Sequence, residues 1–500
     1  MGAVLAVDAG TTGIRSLLID ENGEIIQTAY RELTQYFPKP GWVEHDPNEI
    51  WECVQSTMSE VLEAHGKDPV AIGITNQRET IVAWNKKTSL PLHRALVWQD
   101  RRTSKRCLDL QKTDLLPFIR TTTGLVLDPY FSATKIEWLI NEGEIALSSD
   151  VAFGTIDSWI LWNLTNGSAF ATDPTNASRT MLFDIKKMQW DERLLNVFGI
   201  TEENLPAVLP SSGQFGITST SHPFATGIPI AGIAGDQQAS LFGHAAFATG
   251  DAKNTYGTGS FILMNVGQKC PEPVDGLLST IAWTIDNGGE ISTTYALEGS
   301  IFVTGAAVQW LRDGLKIIDK VSDLEKLALE CETTDDVYFV PAFTGLGSPW
   351  WDPYARGTLI GLTRGTGQAE IARATIESMV FQTRDVVDSM RISSGKKLKS
   401  LKVDGGASAM NLLLQLQSDQ LQVPVSRPKV QETTALGAAY LAGLSIGFWN
   451  SLDEIQNLWT LDHTSIPAKG ITDNDVSHQK WLKAIQRSQG WANDEGSIAL

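Results

Sequence analysis

One short pattern occurs twice in the chain, roughly half its length apart. Near the start, Val7-Asp8-Ala9-Gly10-Thr11-Thr12-Gly13 joins two apolar strands. Near the midpoint stands Asn254-Thr255-Tyr256-Gly257-Thr258-Gly259-Ser260, followed by the strand Phe261–Met264. A strand, a Gly-Thr turn and a second strand that recur at half-length point to two domains of similar topology. At about 100–200 residues per domain, 500 residues would allow three to five. The recurrence reduces this to two large ones, 1–250 and 251–500, joined around Thr249–Lys253.

The rest of the pattern is α/β. Val4–Val7 is a strand, and Arg15–Ile19 with Glu24–Tyr30 forms a hairpin around Asp20-Glu21-Asn22-Gly23. Asp46-Pro47 opens a helix whose apolar face is Ile50, Trp51, Val54, Met58, Val61 and Leu62. Val70–Thr75 and Thr80–Trp84 are strands separated by the polar loop Asn76-Gln77-Arg78-Glu79. Ile228–Ala234 is a buried strand that leads through Gly235-Asp236-Gln237-Gln238 into a helix at Ala239–Phe247. Such alternation indicates an α/β architecture. Leu401–Ser408 is a third glycine turn after a strand, followed by a helix at Leu412–Leu421. The uncharged stretch Thr433–Leu452 is diluted by glycines and is expected to be a buried helix ending near Gly447. The polar tail after Asp462 shows the least pattern.

A Gly-Thr turn between strands presents backbone N–H groups and a hydroxyl at close range, an anion-binding nest. Two such turns on facing domains could clamp a polyphosphate. Asp8, at a strand end, could hold Mg²⁺ through water or simply close its turn. Asp236 follows a buried strand and precedes a helix, at a carboxyl end where α/β clefts form. There it can take a proton from an attacking hydroxyl, or cap the helix. Arg78-Glu79 offers donors and acceptors for vicinal hydroxyls, and Trp98 an apolar wall. No Walker-type loop, HExxH, GxSxG or kinase HRD sequence occurs.

Composition excludes several partners. A formal net charge of −18 leaves no broad basic face for nucleic acid, and anionic membranes would repel the chain. The four cysteines are scattered without a CxxC pair, as in a reducing cytoplasm. The start MGAVLAVDAG lacks the basic and long apolar regions of a signal peptide.

From Val4 to about Asp453 the chain resembles the FGGY carbohydrate kinases, and within them those that phosphorylate glycerol. The matching stretches include Pro38–Pro47, Gly73–Thr80, Val97–Arg102, Gly124–Phe131, Ala231–Gln238, Asn254–Gly259, Pro341–Gly347, Trp351–Gly357 and Thr433–Gly443. The resemblance implies two actin/Hsp70/hexokinase-like domains of ribonuclease-H-like topology flanking a hinged cleft. It implies ATP-dependent phosphorylation of glycerol to sn-glycerol 3-phosphate, with Asp236 as general base. Glycerol would be held by Arg78, Glu79, Tyr130, Asp236 and Gln237, between the walls Trp98 and Phe261. The nucleotide would meet Thr11, Thr12, Gly13, Arg15, Thr258, Gly305, Gln309 and Gly406, with Mg²⁺ near Asp8. A cytoplasmic homodimer or homotetramer without stable membrane insertion completes the expectation. The alternatives are a kinase of another small polyol or ketose, and an actin- or Hsp70-like ATPase that binds other proteins.

Three departures accompany the resemblance. Gly13 stands where a serine is usual. Met410 replaces an adenine-side asparagine, leaving a thioether to pack on the base. The loop Phe224–Pro229 has Gly227 where some bacterial relatives carry a basic residue tied to feedback control, so inhibition by a sugar bisphosphate is not expected.

Overall fold

The computed structural model describes residues 2–219 and 226–493. Thirteen strands form one sheet. In the first half they are β1 (Ala3–Ala9), β2 (Gly13–Asp20), β3 (Ile25–Glu32), β4 (Ala71–Asn76), β5 (Ser212–Ile217) and β6 (Pro229–Gly235). In the second half they are β7 (Asp251–Tyr256), β8 (Ser260–Gly267), β9 (Leu278–Asp286), β10 (Ile291–Ile301), β11 (Ser400–Asp404), β12 (Val425–Pro428) and β13 (Leu461–Ser465). Their order across the sheet is β13-β12-β11-β7-β8-β10-β9-β5-β6-β4-β1-β2-β3.

The pairing repeats. β1–β2 and β2–β3 are antiparallel, whereas β1–β4 and β4–β6 are parallel. Likewise β7–β8 and β8–β10 are antiparallel, and β7–β11 and β11–β12 are parallel. Each half thus has the same five-strand core, an antiparallel meander of three whose first strand continues into two parallel ones, as in the ribonuclease-H fold. The halves touch edge to edge where Ser212 of β5 lies beside Ile285 of β9. The two Gly-Thr turns fall at matching places, between the first two strands of each half.

The helices follow from local chemistry. In α1 (Pro47–His65), the Asp46 carboxylate accepts from the Asn48 N–H at 2.9 Å, Pro47 occupies the first turn, and Gly66 closes the end at φ 72°. Ile50, Val54, Met58 and Val61 are its buried face, with Trp51 and Leu62 at the margin. The helix after β6, α2 (Asp236–Gly243), starts three residues earlier than its apolar pattern suggests, with Gly235 as N-cap. The Asp236 carboxylate accepts from the Gln237 N–H at 2.7 Å, so the polar run Asp236-Gln237-Gln238 is the first turn rather than a loop. Other helices used below are α3 (Gly305–Asp313), α4 (Gln368–Ser394), α5 (Asn411–Leu421), α6 (Thr433–Ser445) and α7 (Ile471–Ser488).

The tail after Asp462 is more ordered than its composition suggests. It completes β13 and forms α7, whose Trp481 is fully buried against Phe381 of α4. Trp481 Nε1 donates to Asp385 at 2.8 Å, and His478 Nε2 lies 2.6 Å from the same carboxylate. The anchoring residues His478, Trp481 and Ile485 follow one helix face, but the polar residues between them mask the period.

The stretch of α6 is a buried helix, and no described helix is long and apolar enough to cross a membrane. Although it comes late in sequence, α6 lies on the first-half strands β1, β4 and β6 and against α2. Backbone meets backbone there. A Cβ on Gly437 would overlap the Ala239 carbonyl oxygen, and one on Gly243 would overlap that of Thr433. Gly437→Ala is therefore expected to lose about 1–3 kcal/mol of stability and to shift α2, which begins at Asp236. Gly470→Ala meets nothing within 4 Å and should stay within about 0.5 kcal/mol of wild type. Urea unfolding of both variants tests this.

Candidate active site

The first turn closes through the Gly10 N–H, which donates to the Gly13 carbonyl at 3.0 Å. Thr11 Oγ1 accepts from Trp98 Nε1 at 2.9 Å, so the tryptophan is fastened to the turn. Thr12 is exposed, and its carbonyl accepts from the Tyr30 hydroxyl at 3.3 Å. A Cβ on Gly13 would overlap the Tyr30 hydroxyl and stand 2.5 Å from the Arg31 carbonyl oxygen. Tyr30 thus takes the space a serine side chain would need. Arg15 lies over the Tyr30 ring, 5.4 Å from its centroid, and forms an ion pair with Glu432.

The second turn is braced by the start of α3. Thr304 and Ala306 N–H groups donate to the Thr258 carbonyl at 2.9 and 3.1 Å, and that of Gly305 donates to the Gly257 carbonyl at 3.0 Å. A Cβ on Gly305 would stand 2.6 Å from the Gly257 oxygen, so only glycine permits this approach. Thr258 is exposed, as is Gln309 one turn along α3. At the third turn Gly405 has φ +83° and packs on the Tyr256 backbone, while Gly406 faces open space. Met410 is 8% exposed and belongs to the core cluster. Its neighbour Asn411 is exposed, with Oδ1 accepting from Arg427 Nη1 at 3.3 Å. Of the loop Phe224–Pro229, Phe224 and Ala225 lie outside the described residues, and Gly227 is exposed.

A cluster of buried charge gathers around residues that follow β4 and β6. Glu79 sits at φ +63°, a left-handed conformation that costs a glutamate energy and is kept only where its surroundings demand it. Arg179 Nε donates to Glu79 Oε1 at 2.5 Å, and Ser132 Oγ donates to the Glu79 carbonyl at 3.0 Å. Arg78 Nη1 and Nη2 donate to the two carboxylate oxygens of Glu298 at 2.6 and 2.9 Å, and Arg179 Nη2 donates to Glu298 Oε1 at 3.2 Å. All four side chains are at most 2% exposed, and two positive charges balance two negative ones. Burial pushes the Glu298 carboxyl up, but Arg179 and Arg78 outweigh it and draw it down to about 2.

Asp236 stands above this group. Its Oδ1 is 3.2 Å from Arg78 Nε, and its side chain is 31% exposed, against 2% for Arg78. Tyr130 and Trp98 meet edge to face at 5.6 Å and form one wall. Lys135 Nζ donates to the Tyr130 carbonyl at 2.6 Å and fixes that segment. Phe261 is half-buried on β8, and among the described residues no ring contact joins it to Trp98 or Tyr130. Gln237 Oε1 accepts from Lys253 Nζ. Burial draws the Lys253 ammonium down to about 8, against Asp404 and Asp236.

The sequence pattern does not reveal Arg179, Glu298 and Lys253 as members of the site. Glu298 carries a signal, a lone charge inside the otherwise uncharged strand β10. Lys253 carries a weaker one, a cation inside β7 with Asp251 at the strand's start. Arg179 has none, because Asn176–Met181 follows no period.

Asp8 lies at the end of β1, where burial and the nearby Asp236 push its carboxyl up to about 7, with Arg15 opposing and Glu432 adding to the rise. A carboxylate beside the first Gly-Thr turn, with that of Asp236 near enough to act on it, suits a divalent cation that keeps most of its water. Among the described residues no group of three or more His, Cys, Asp or Glu side chains forms a closed metal cage.

Two ribonuclease-H-like halves with Gly-Thr turns at matching strand ends form the architecture of a carbohydrate kinase. The N-terminal domain model of the FGGY family of carbohydrate kinases matches residues 3–243, and its C-terminal domain model matches residues 252–446. The chain belongs to this family. It is 53% identical over 498 residues to a glycerol kinase of Caldanaerobacter subterraneus subsp. tengcongensis, covering 98% of this chain and 99% of the relative. It is 51% identical over 498 residues to glycerol kinase 2 of Thermotoga maritima, with the same coverage. The crystal structure of Plasmodium falciparum glycerol kinase with ADP superposes with a TM-score of 0.93 at 37% identity, covering 98% of both chains.

Proposed function

We propose that the protein transfers the terminal phosphoryl group of ATP to glycerol, giving sn-glycerol 3-phosphate. Relatives about half identical over nearly the whole chain support this. The observation that carries the mechanism is Asp236, a partly open carboxylate set over a closed, charge-balanced floor and beside an aromatic wall.

Glycerol would lie against Trp98, Tyr130 and Phe261, with its hydroxyls toward Arg78, Glu79, Asp236 and Gln237. Asp236 takes the proton of the attacking hydroxyl as its oxygen bonds to the γ-phosphorus, and the bond to the ADP oxygen breaks. The turn at Thr11, Thr12 and Gly13, with Arg15, and the turn at Thr258 would hold the phosphates in line. Gly305, Gln309 and Gly406 would border the nucleoside. Asp8 would hold Mg²⁺ through water, and the ion would supply positive charge to offset that of the phosphates. A cytoplasmic location and a homodimer or homotetramer belong to the same proposal, the first supported by four free cysteines.

An ADP-release assay with Mg²⁺-ATP tests this against glycerol, erythritol, xylulose and no acceptor. Glycerol is expected to give the highest kcat/KM by at least about tenfold. A preference for xylulose would assign a ketose kinase, and ADP release indifferent to every acceptor would assign a stand-alone ATPase.

A further inference from the structure

Arg15 is already occupied. Its guanidinium lies on the Tyr30 ring and is ion-paired with Glu432, 417 positions away in sequence. Both partners are open to solvent, with side chains 35% and 41% exposed. Glu432 precedes α6, yet its carboxylate caps no backbone N–H. It reaches instead to Arg15, two residues past the first phosphate turn, and its charge is felt at Asp8.

From this we infer that Glu432 is a positioning residue that competes with the nucleotide for Arg15. Without nucleotide, Glu432 holds Arg15 on Tyr30. When a polyphosphate arrives, Arg15 turns from carboxylate to phosphate, and Glu432 is left as an unpaired negative charge beside it. Both effects lower nucleotide affinity, by the lost ion pair and by like-charge repulsion. The result is easier discharge of ADP. The exchange rests on the phosphate-binding role proposed for Arg15.

Calorimetric titration of the full chain with Mg²⁺-ADP tests it. Glu432→Gln is expected to bind ADP about three- to tenfold more tightly, whereas Glu432→Asp, which keeps the charge, should stay near wild type. Raising the salt should narrow the gap between wild type and Glu432→Gln, because a half-exposed pair is screened. Arg15→Gln should weaken ADP binding, and adding Glu432→Gln to it should recover less than Glu432→Gln gains alone. Unchanged or weaker binding by Glu432→Gln would overturn the inference. Unchanged binding by Arg15→Gln would instead remove the phosphate role of Arg15. A gain in affinity is a result that simple damage to the fold does not produce.

Discussion

Asp236→Asn is expected to lower kcat by about 10²–10⁴-fold, the usual cost of a missing general base. The amide keeps the shape of the carboxylate and can still accept from the Gln237 N–H, but it cannot take up the glycerol proton. Arg78 loses one neighbour at 3.2 Å and keeps its two-pronged bond to Glu298. Stability should therefore remain near wild type, and KM for glycerol should change much less than kcat. Steady-state ADP release and thermal unfolding of the same preparation separate the two effects. Turnover within about tenfold of wild type would remove Asp236 from the role of base.

The second large effect is expected at Glu298. Glu298→Gln leaves Arg78 and Arg179 buried together with Glu79 as their closed-in counter-charge. Breaking a buried pair from one side typically costs about 3–5 kcal/mol, and urea unfolding should register a loss of that size. Removing Arg179 as well, by Arg179→Met, restores the balance of charge, so the double variant should be less destabilised than the sum of the single ones. The sign with pH follows from the direction of the shift. The Glu298 carboxyl falls from an ordinary 4.5 to about 2 in the folded chain, so its contribution is complete above about pH 4.5. It is lost as pH falls toward 2, and the gap between wild type and Glu298→Gln should close over that window. A gap that is constant with pH would mean that the loss comes from packing rather than charge.

Much of this architecture is legible in the residues because its causes are local. Asp46-Pro47 starts a helix by capping chemistry alone, and the two Gly-Thr turns mark the two halves wherever the strands go. The apolar run before Asp236 places it at a strand's carboxyl end. What escapes depends on distant partners. Glu298 meets Arg78 across 220 positions and Arg179 across 119, and nothing near any of them announces the match. Met410 shares the core cluster with Leu413 and Leu414, a packing that its adaptable thioether suits and that no local pattern announces. The first turn of α2 is hidden because polar residues there serve a site rather than a solvent face.

The position of α6 has a consequence for how the protein is made. Val4, Ala6, Ala71 and Ala231 of the first half share one core cluster with Ala435, Leu436, Ala439 and Leu441. A ribosome finishes the first-half strands long before it reaches that helix. At about 5–20 residues per second the interval lasts roughly 10–40 s. Through that time the newborn first half carries an uncovered apolar face, and its fold is completed only once the segment beyond Glu432 has emerged.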